Sequence, residues 1–317
     1  MTAGRWAVLA LLLVCGGVRA ETFALISDIN GRYGSTAYAG RVHDAVALIA
    51  RVDPVAVLTP GDLVAGQKQP KLDSAWLDSM WRAFDDAVAR PLAHADIALL
   101  PSPGNHDGSA FPEFELERQR YRHYWSTRRP ENELLAGSDW PRHYALRIGE
   151  TLLIAFDGSR PGPLPPAERD FVARTLTEYG AQAPCTLVMG HLPMWPLARH
   201  REREIIDDPD LLDLLHRHGV DAYISGHHHV FYPGVDEAGM LHLAVGALGG
   251  NARSFSGHLV RESHSFAFLI HADGVLRVMG LEAPDFARHI EPDSLPERVH
   301  GPLGTLQRLS GDLLLRH

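Results

Sequence analysis

Thr22-Phe23-Ala24-Leu25-Ile26-Ser27, running into Asp28-Ile29-Asn30, is the stretch on which the reading of this chain turns. A short apolar run that ends in a polar loop reads as a buried strand, so chemistry belongs at its C-terminal end. Downstream, Val42, Ala45, Val46 and Ile49 recur at three- and four-residue spacing and predict an amphipathic helix stopping near Asp53-Pro54. Residues 55–59 repeat the buried-strand pattern. Leu72, Trp76, Met80, Phe84 and Val88 trace one face of a longer helix, and residues 97–100 supply a third strand. Strand and helix alternating in this way build parallel βαβ units, which makes the fold class α/β.

The alternation lapses between Asp107 and Arg142, where charge and aromatic rings dominate, and an inserted helix and loop is expected over about 108–141. Its arginines, from Arg118 to Arg129, follow Glu113, Glu115 and Glu117. That pattern favours a solvated helix paired within itself over a lid that draws in anions. Strand-like runs return at 143–148 and 151–156, then 166–179 reads as helix and 186–189 as strand. A helix over 211–218 stops at Gly219, and 222–225 is the next strand. Runs at 241–245, 266–271 and 275–281 add more sheet. The domain so defined spans 21–290, leaving 291–317, rich in Pro, Gly and charge, as a C-terminal extension without assigned structure.

At 317 residues, with 45% hydrophobic and 22% charged side chains, the chain can bury one large core and lacks the polar bias of disorder. Arg5, the apolar run from Trp6 to Val14, and Val18-Arg19-Ala20 have the order of a signal peptide over residues 1–20. The run is far short of the ~20 residues a membrane span needs. The expectation is an exported protein, periplasmic or secreted, with no stable membrane span. The net charge of −9 becomes more acidic still once Arg5 and Arg19 leave, which argues against a basic nucleic-acid glove. Cys185 then remains alone, so no intramolecular disulfide and no thiolate metal site is expected.

Most side chains able to bind a metal fall just after predicted strands. They are Asp28 and Asn30, then Asp62, then Asn105 with His106, then His191, then His227 and His229. Loops at the carboxyl ends of strands in an open α/β sheet converge on one crevice, so residues two hundred positions apart can meet. Glycine stands beside nearly every one: Gly61-Asp62, Gly104-Asn105-His106-Asp107, Gly190-His191 and Gly226-His227-His228-His229. Mixed oxygen and imidazole donors suit Zn, Mn or Fe.

In that order, Asp-x-Asn, Gly-Asp, Gly-Asn-His-Asp, Gly-His and Gly-His-x-His, the chain resembles the calcineurin-like metallophosphoesterases, a group that includes purple acid phosphatases. The resemblance covers about residues 22 to 232. It implies a four-layer α/β/β/α sandwich, two mixed sheets flanked by helices, with a site for two divalent or trivalent metal ions at the strand ends. Carried over, one ion would be held by Asp28, Asp62 and His229, and the other by Asp62, Asn105, His191 and His227, with Asp62 bridging. His106 would stabilise the transition state or protonate the leaving oxygen, and Asp107 would orient it. Most of the family have His where this chain has Asn30, and purple acid phosphatases have Tyr where it has Ala65. The first ion is therefore expected to use the Asn30 amide oxygen or one ligand fewer, with no tyrosinate colour.

Two cations would neutralise an anionic phosphate ester and lower the pKa of bound water from 15.7 toward about 7. The expected activity is hydrolysis of small phosphate esters, mono- or diesters, by a metal-activated hydroxide. A nucleotide-specific hydrolase, such as a nucleotidase or cyclic-nucleotide phosphodiesterase, is the second enzymatic reading. A metal-binding protein without turnover is the non-enzymatic one, and the presence of His106 argues against it. Arg32 and Tyr33, directly after the first ligands, are candidate substrate contacts or a plain surface turn. Gln67 and Lys68 stand similarly, and residues 249–253 are a candidate edge of the pocket. His228, between two ligands, either touches substrate or packs. Neither the natural substrate nor the oligomeric state is written in the sequence.

Overall fold

The computed structural model describes residues 20–258 and 262–315. The expected leader over 1–20 thus lies, apart from Ala20, outside the described residues. The first sheet begins with β1 (Glu21–Leu25), β2 (Ala56–Thr59) and β3 (Leu99–Pro101), paired in parallel in that order. Against the other side of β1, β10 (Ser265–Ala272) runs antiparallel, followed by β11 (Val275–Glu282) and the short β12 (Arg288–His289). The second sheet holds β4 (Tyr144–Ile148), β5 (Thr151–Ala155), β6 (Cys185–Met189), β7 (Ala222–Ser225) and β9 (Leu241–Ala244) in spatial order. From β5 to β9 these strands are parallel. Both sheets are mixed, and every residue of β2, β5, β6, β7 and β9 is buried, which is why these strands read as continuous apolar runs.

The crossover helices flank the sheets and give four layers. α1 (Gly40–Val52) buries Val42, Ala45, Val46 and Ile49, as its spacing predicts, and ends where Asp53 adopts a left-handed conformation ahead of Pro54. α2 (Ser74–Phe84) starts at Asp73, whose side chain accepts from the Trp76 N–H at 2.8 Å. Its buried face is Leu77, Met80, Trp81 and Phe84, while Trp76 lies 48% exposed. Of the five positions predicted to share a face, Met80, Phe84 and Val88 are buried, whereas Trp76 is exposed and the half-buried Leu72 precedes the helix. A step of four residues overshoots a helical turn by about 40°, so five residues in such steps cannot share a face. A π-helical segment at Asp85–Ala89 then resets the register, burying Val88, before α3 (Arg90–His94).

α4 (Glu115–Ser126) forms the helix of the insertion, while α5 (Pro166–Tyr179) and α6 (Pro209–Arg217) belong to the second sheet. The insertion is anchored rather than free. Trp81 of α2 stacks on Tyr124 of α4 with ring centroids 4.4 Å apart, and Trp125 packs edge-on against Trp140 at 6.1 Å. Its arginines do not pair with the glutamates that precede them. Arg118 pairs with Asp157, Arg120 with Asp78, Arg122 with Asp139 and Arg128 with Asp85, all outside the helix. Glu117 is buried, with Oε1 accepting from the Gln67 N–H at 2.9 Å. The expected self-pairing therefore gives way to cross-links between elements.

Two regions carry structure that periodicity did not indicate. β8 (Tyr232–Val235) contains Pro233 and Gly234, yet pairs with β9. Beyond residue 290, β13 (Arg298–Gly301) and β14 (Gly304–Arg308) extend the second sheet through β8, and β15 (Leu313–Leu314) pairs with β11 of the first. The stretch left as an unstructured extension thus touches both sheets. Among the described residues, no helix is long and apolar enough to cross a membrane.

Candidate metal centre

The candidate ligands gather at the seam between the sheets, and they arrive sorted by chemistry. Asp28, Asn30, Asp62 and Asn105 follow β1, β2 and β3 of the first sheet, whereas His191, His227 and His229 follow β6 and β7 of the second. One sheet supplies oxygens and the other imidazoles. The seam is closed by backbone: Ser27 bridges Ala247, and the Gly249 N–H donates to the Asp28 carbonyl at 2.8 Å. The His227 N–H donates to Asp28 Oδ2 at 2.9 Å, tying the imidazole loop to the first carboxylate. That approach requires glycine at 226, where a Cβ would collide with the Ser27 hydroxyl. Asp28, Asp62, His227 and His229 all hold positive φ, between 51° and 62°. Non-glycine residues adopt this region at a cost that the surrounding hydrogen bonds must offset.

Donor atoms of Asp62, His191 and His227 lie within 4.8 Å of one another. His191 Nε2 is 2.9 Å from Asn105 Oδ1, 3.2 Å from His227 Nδ1 and 3.4 Å from Asp62 Oδ1. On the other side, His229 Nε2 stands 3.1 Å from Asp28 Oδ1, which is buried yet receives no hydrogen bond. Asn30 is 6% exposed beside Asp62, and its backbone N–H donates to the Asp62 carbonyl at 3.2 Å.

The outward bonds of the three imidazoles decide what their inner nitrogens present. His191 Nδ1 faces the Pro60 carbonyl at 2.6 Å, His229 Nδ1 faces the Asn251 carbonyl at 2.8 Å, and His227 Nε2 faces Glu204 Oε2 at 2.7 Å. Each partner is an acceptor only, so each outer nitrogen carries the proton. The inner nitrogens of neutral rings are then lone pairs, and they point at one another and at carbonyl and carboxylate oxygens. Crowded lone pairs in a buried site call for a positive charge among them. The electrostatic surroundings differ from group to group. Burial opposes charge on His191, yet Asp62 and Asp28 outweigh it and raise its pKa. Burial also opposes ionisation of Asp28, but His229 outweighs it and holds the carboxyl well below its usual range. His227, by contrast, is driven well down by burial and then by His191. The donor set fits cations of the Zn, Mn or Fe class.

The neighbouring groups divide into those that face the site and those that build it. The His106 N–H donates to Asp62 Oδ1 at 2.9 Å, its Nδ1 lies 3.1 Å from the Gly66 carbonyl, and its Nε2 is 3.8 Å from Asp62 Oδ2. Tyr33, 58% exposed, sets its ring 5.1 Å from the His106 ring, while Arg32 is exposed on the same turn. Asp107 does not serve to orient His106. Its carboxylate accepts from the Leu63 N–H at 2.6 Å and the Gly104 N–H at 2.7 Å, fastening two ligand loops together. Burial and then Asp62 push its pKa up to about 7. His228 is withdrawn from substrate as well. It is fully buried, with Nδ1 accepting from the Leu197 and Ala198 N–H groups at 3.2 Å and Nε2 donating to the Glu204 carbonyl at 3.1 Å. Burial lowers its pKa to about 3, so the ring organises the loop as a neutral group.

Three contributors escaped the sequence reading. Glu204 lies in the charged run 199–204, with nothing to distinguish it from its neighbours. Gln67, read as a phosphate contact or a surface turn, instead accepts from Asn105 Nδ2 through its Oε1 at 2.9 Å. Arg253, in the expected edge loop, is half-buried and donates to the His227 carbonyl at 2.5 Å. A partner that acts through loop conformation leaves no mark in spacing.

The fold resembles two solved structures of different roles. A dimetal phosphatase from Danio rerio superposes with a TM-score of 0.58 at 17% identity, covering 93% of this chain and 99% of that one. GAP50, described as the anchor in the inner membrane complex of Plasmodium, gives 0.55 at 13% identity, covering 84% and 85%. No curated protein matches the sequence. Likeness at this level speaks for the fold alone, and one architecture serves both a phosphatase and an anchor. The sequence itself goes further, since the model of the family described as Calcineurin-like phosphoesterase matches residues 21–231 and so takes in every candidate ligand. The chain belongs to the calcineurin-like phosphoesterase family.

Proposed function

We propose that this protein hydrolyses small phosphate esters with two metal ions, one held by Asp28, Asp62 and His229, and the other by Asp62, Asn105, His191 and His227. The observation that carries this reading is that the outer nitrogen of each of the three imidazoles faces an acceptor oxygen, which leaves the inner nitrogens as lone pairs facing Asn105 Oδ1, Asp28 Oδ1 and one another. Asn30 is the further oxygen available to the first ion. Ions bound there would neutralise phosphate oxygens and bring the pKa of water toward neutrality.

The rest falls to the chain's own groups. With Nδ1 donating to the Gly66 carbonyl, His106 takes up or releases its second proton at Nε2, the ring nitrogen 3.8 Å from Asp62 Oδ2. That proton is the one we assign to the departing oxygen. Asp107 and the Ser27 hydroxyl, which donates to Asp28 Oδ2 at 2.7 Å, hold the carboxylate loops in place. The leader-like residues 1–20 support placing the reaction after export, in the periplasm or outside the cell.

A nucleotide-specific version is favoured by Tyr33. An exposed ring 5.1 Å from the imidazole that serves the leaving group is a surface for a flat leaving group. The proposal is tested by metal analysis of the purified chain together with hydrolysis of paired monoesters and diesters. Two ions per chain and activity abolished in Asp62→Asn are expected. Metal retained without turnover across a broad ester panel would replace the hydrolase with a metal-binding protein.

A further inference from the structure

Of the three histidines at the seam, His227 alone is backed by a charged side chain. His191 and His229 lean on the backbone carbonyls of Pro60 and Asn251. Behind His227 Nε2 stands Glu204 Oε2 at 2.7 Å, and behind Glu204 stands Arg201, whose Nη1 lies 2.6 and 2.7 Å from the two carboxylate oxygens. We propose that Glu204 is a positioning residue that fixes the ring orientation and tautomer of His227, presenting Nδ1 as a metal donor, and that Arg201 holds Glu204 to this task. The proposal rests on the metal-centre reading above.

A carboxylate accepts and cannot donate, so its contact at Nε2 places the single proton of the neutral imidazole there. Nδ1 is then left as a lone pair 3.2 Å from Nε2 of His191, a ring whose proton sits on Nδ1 toward the Pro60 carbonyl. Without Glu204 the ring would be free to carry its proton on either nitrogen and to rotate. Half of the tautomers would be blind to a cation. A carboxylate partner also makes the ring a stronger donor, and loss of such an outer partner typically weakens metal binding about 10- to 100-fold. Arg201 removes the conformational freedom of the glutamate and balances its charge in a part of the site already crowded with carboxylates.

The loop that carries Glu204 does not depend on this side chain for its course. The Glu204 carbonyl accepts from His228 Nε2 at 3.1 Å, and the Glu204 N–H donates to the Arg201 carbonyl at 2.9 Å. Changes confined to the carboxylate should therefore leave the loop where it is. Glu202, two residues earlier, bonds the Ser256 hydroxyl at 3.2 Å and the His200 N–H, away from the imidazoles, and serves as an internal control.

The test is calorimetric titration of the metal-stripped full chain with Mn²⁺ or Zn²⁺, comparing wild type, Glu204→Ala, Glu204→Gln, Arg201→Ala and Glu202→Ala. Wild type and Glu202→Ala should bind two ions. Glu204→Ala should weaken one of the two binding steps at least 10-fold and leave the other, which does not use His227, within about twofold. Glu204→Gln retains an acceptor oxygen without the charge and should recover part of the loss, with Arg201→Ala falling between the two. Melting curves of the stripped proteins should superpose, which separates positioning from folding. Two unweakened binding steps in Glu204→Ala would overturn the proposal while sparing the metal centre. A wild-type chain that binds no ion would overturn both.

Discussion

Asn105 donates from Nδ2 to Gln67 Oε1 at 2.9 Å, and this one contact decides which end of the Asn105 amide faces the metal centre. With the NH₂ group turned to Gln67, the carbonyl oxygen Oδ1 is the atom presented to His191 Nε2. An amide flipped by 180° would offer a donor where a ligand is needed. Gln67→Leu should therefore weaken the ion held by Asn105 roughly 10-fold, as loss of an outer-shell partner does. Gln67→Glu, which keeps an acceptor, should weaken it less. Equilibrium dialysis with Zn²⁺ on both variants checks this, and equal affinities in all three proteins would remove Gln67 from the site.

Glu117 gives a pH dependence of stability with a definite sign. Its Oε1 accepts from Gln67, but Oε2 is buried with no hydrogen bond, and burial pushes its pKa up to about 7. A carboxyl whose pKa is higher folded than unfolded binds its proton more tightly in the native state. Stability is then greatest below about pH 4.5 as far as this group is concerned, and falls as pH rises toward 7. Glu117→Gln should flatten that slope and gain on the order of 1 kcal/mol at pH 8, with no gain at pH 4. Urea unfolding at the two pH values measures the difference, and an equal effect at both would refute the assignment.

Metal removal should cost stability as well as activity. Asp28 and Asp62 are buried together, and three imidazoles whose outer nitrogens face acceptor oxygens turn their inner nitrogens toward them. Saturating a site at a free metal concentration of ~1,000 times its Kd adds about 4 kcal/mol to unfolding. Chelator-treated protein should therefore melt several degrees lower and recover when Zn²⁺ or Mn²⁺ is restored, whereas Mg²⁺ should restore less because it disfavours imidazole donors. Scanning calorimetry decides the point. A melting temperature indifferent to chelator would contradict it.

Tyr33→Ala separates aromatic from aliphatic leaving groups. Stacking on an exposed ring is worth about 0.5–1.5 kcal/mol, so kcat/KM for a nucleoside monophosphate should fall roughly 2- to 10-fold. That for glycerol phosphate should hold. Tyr33→Phe should behave as wild type with both. Parallel losses on the two substrates would mean that Tyr33 supports His106 and does not contact the leaving group.

The candidate ligands were legible because glycine-flanked polar groups at the ends of buried strands are rare by chance and are placed by the sheet itself. The two-sheet architecture followed from the resemblance those residues carry, more than from periodicity. What remained hidden shares one cause. Glu204, Gln67 and the clamp formed by Asp107 act through loops whose course no repeat encodes, and each looks in the sequence like an ordinary polar residue. The insertion misled for a related reason, since Arg118, Arg120 and Arg128 find Asp157, Asp78 and Asp85 across elements and not their helical neighbours. β8 was obscured by Pro233 and Gly234, which its antiparallel place beside β9 tolerates.

The final strands give the chain a seam of a different kind. β14 adds to the second sheet while β15 closes on β11 of the first, within a span of only a few residues. A ribosome must have released residues through Arg308 before the second sheet gains β14, and through Leu314 before the first gains β15. The candidate metal centre, by contrast, is complete in sequence by His229, so an emerging chain owns every candidate ligand well before it owns the buckle that fastens its two halves.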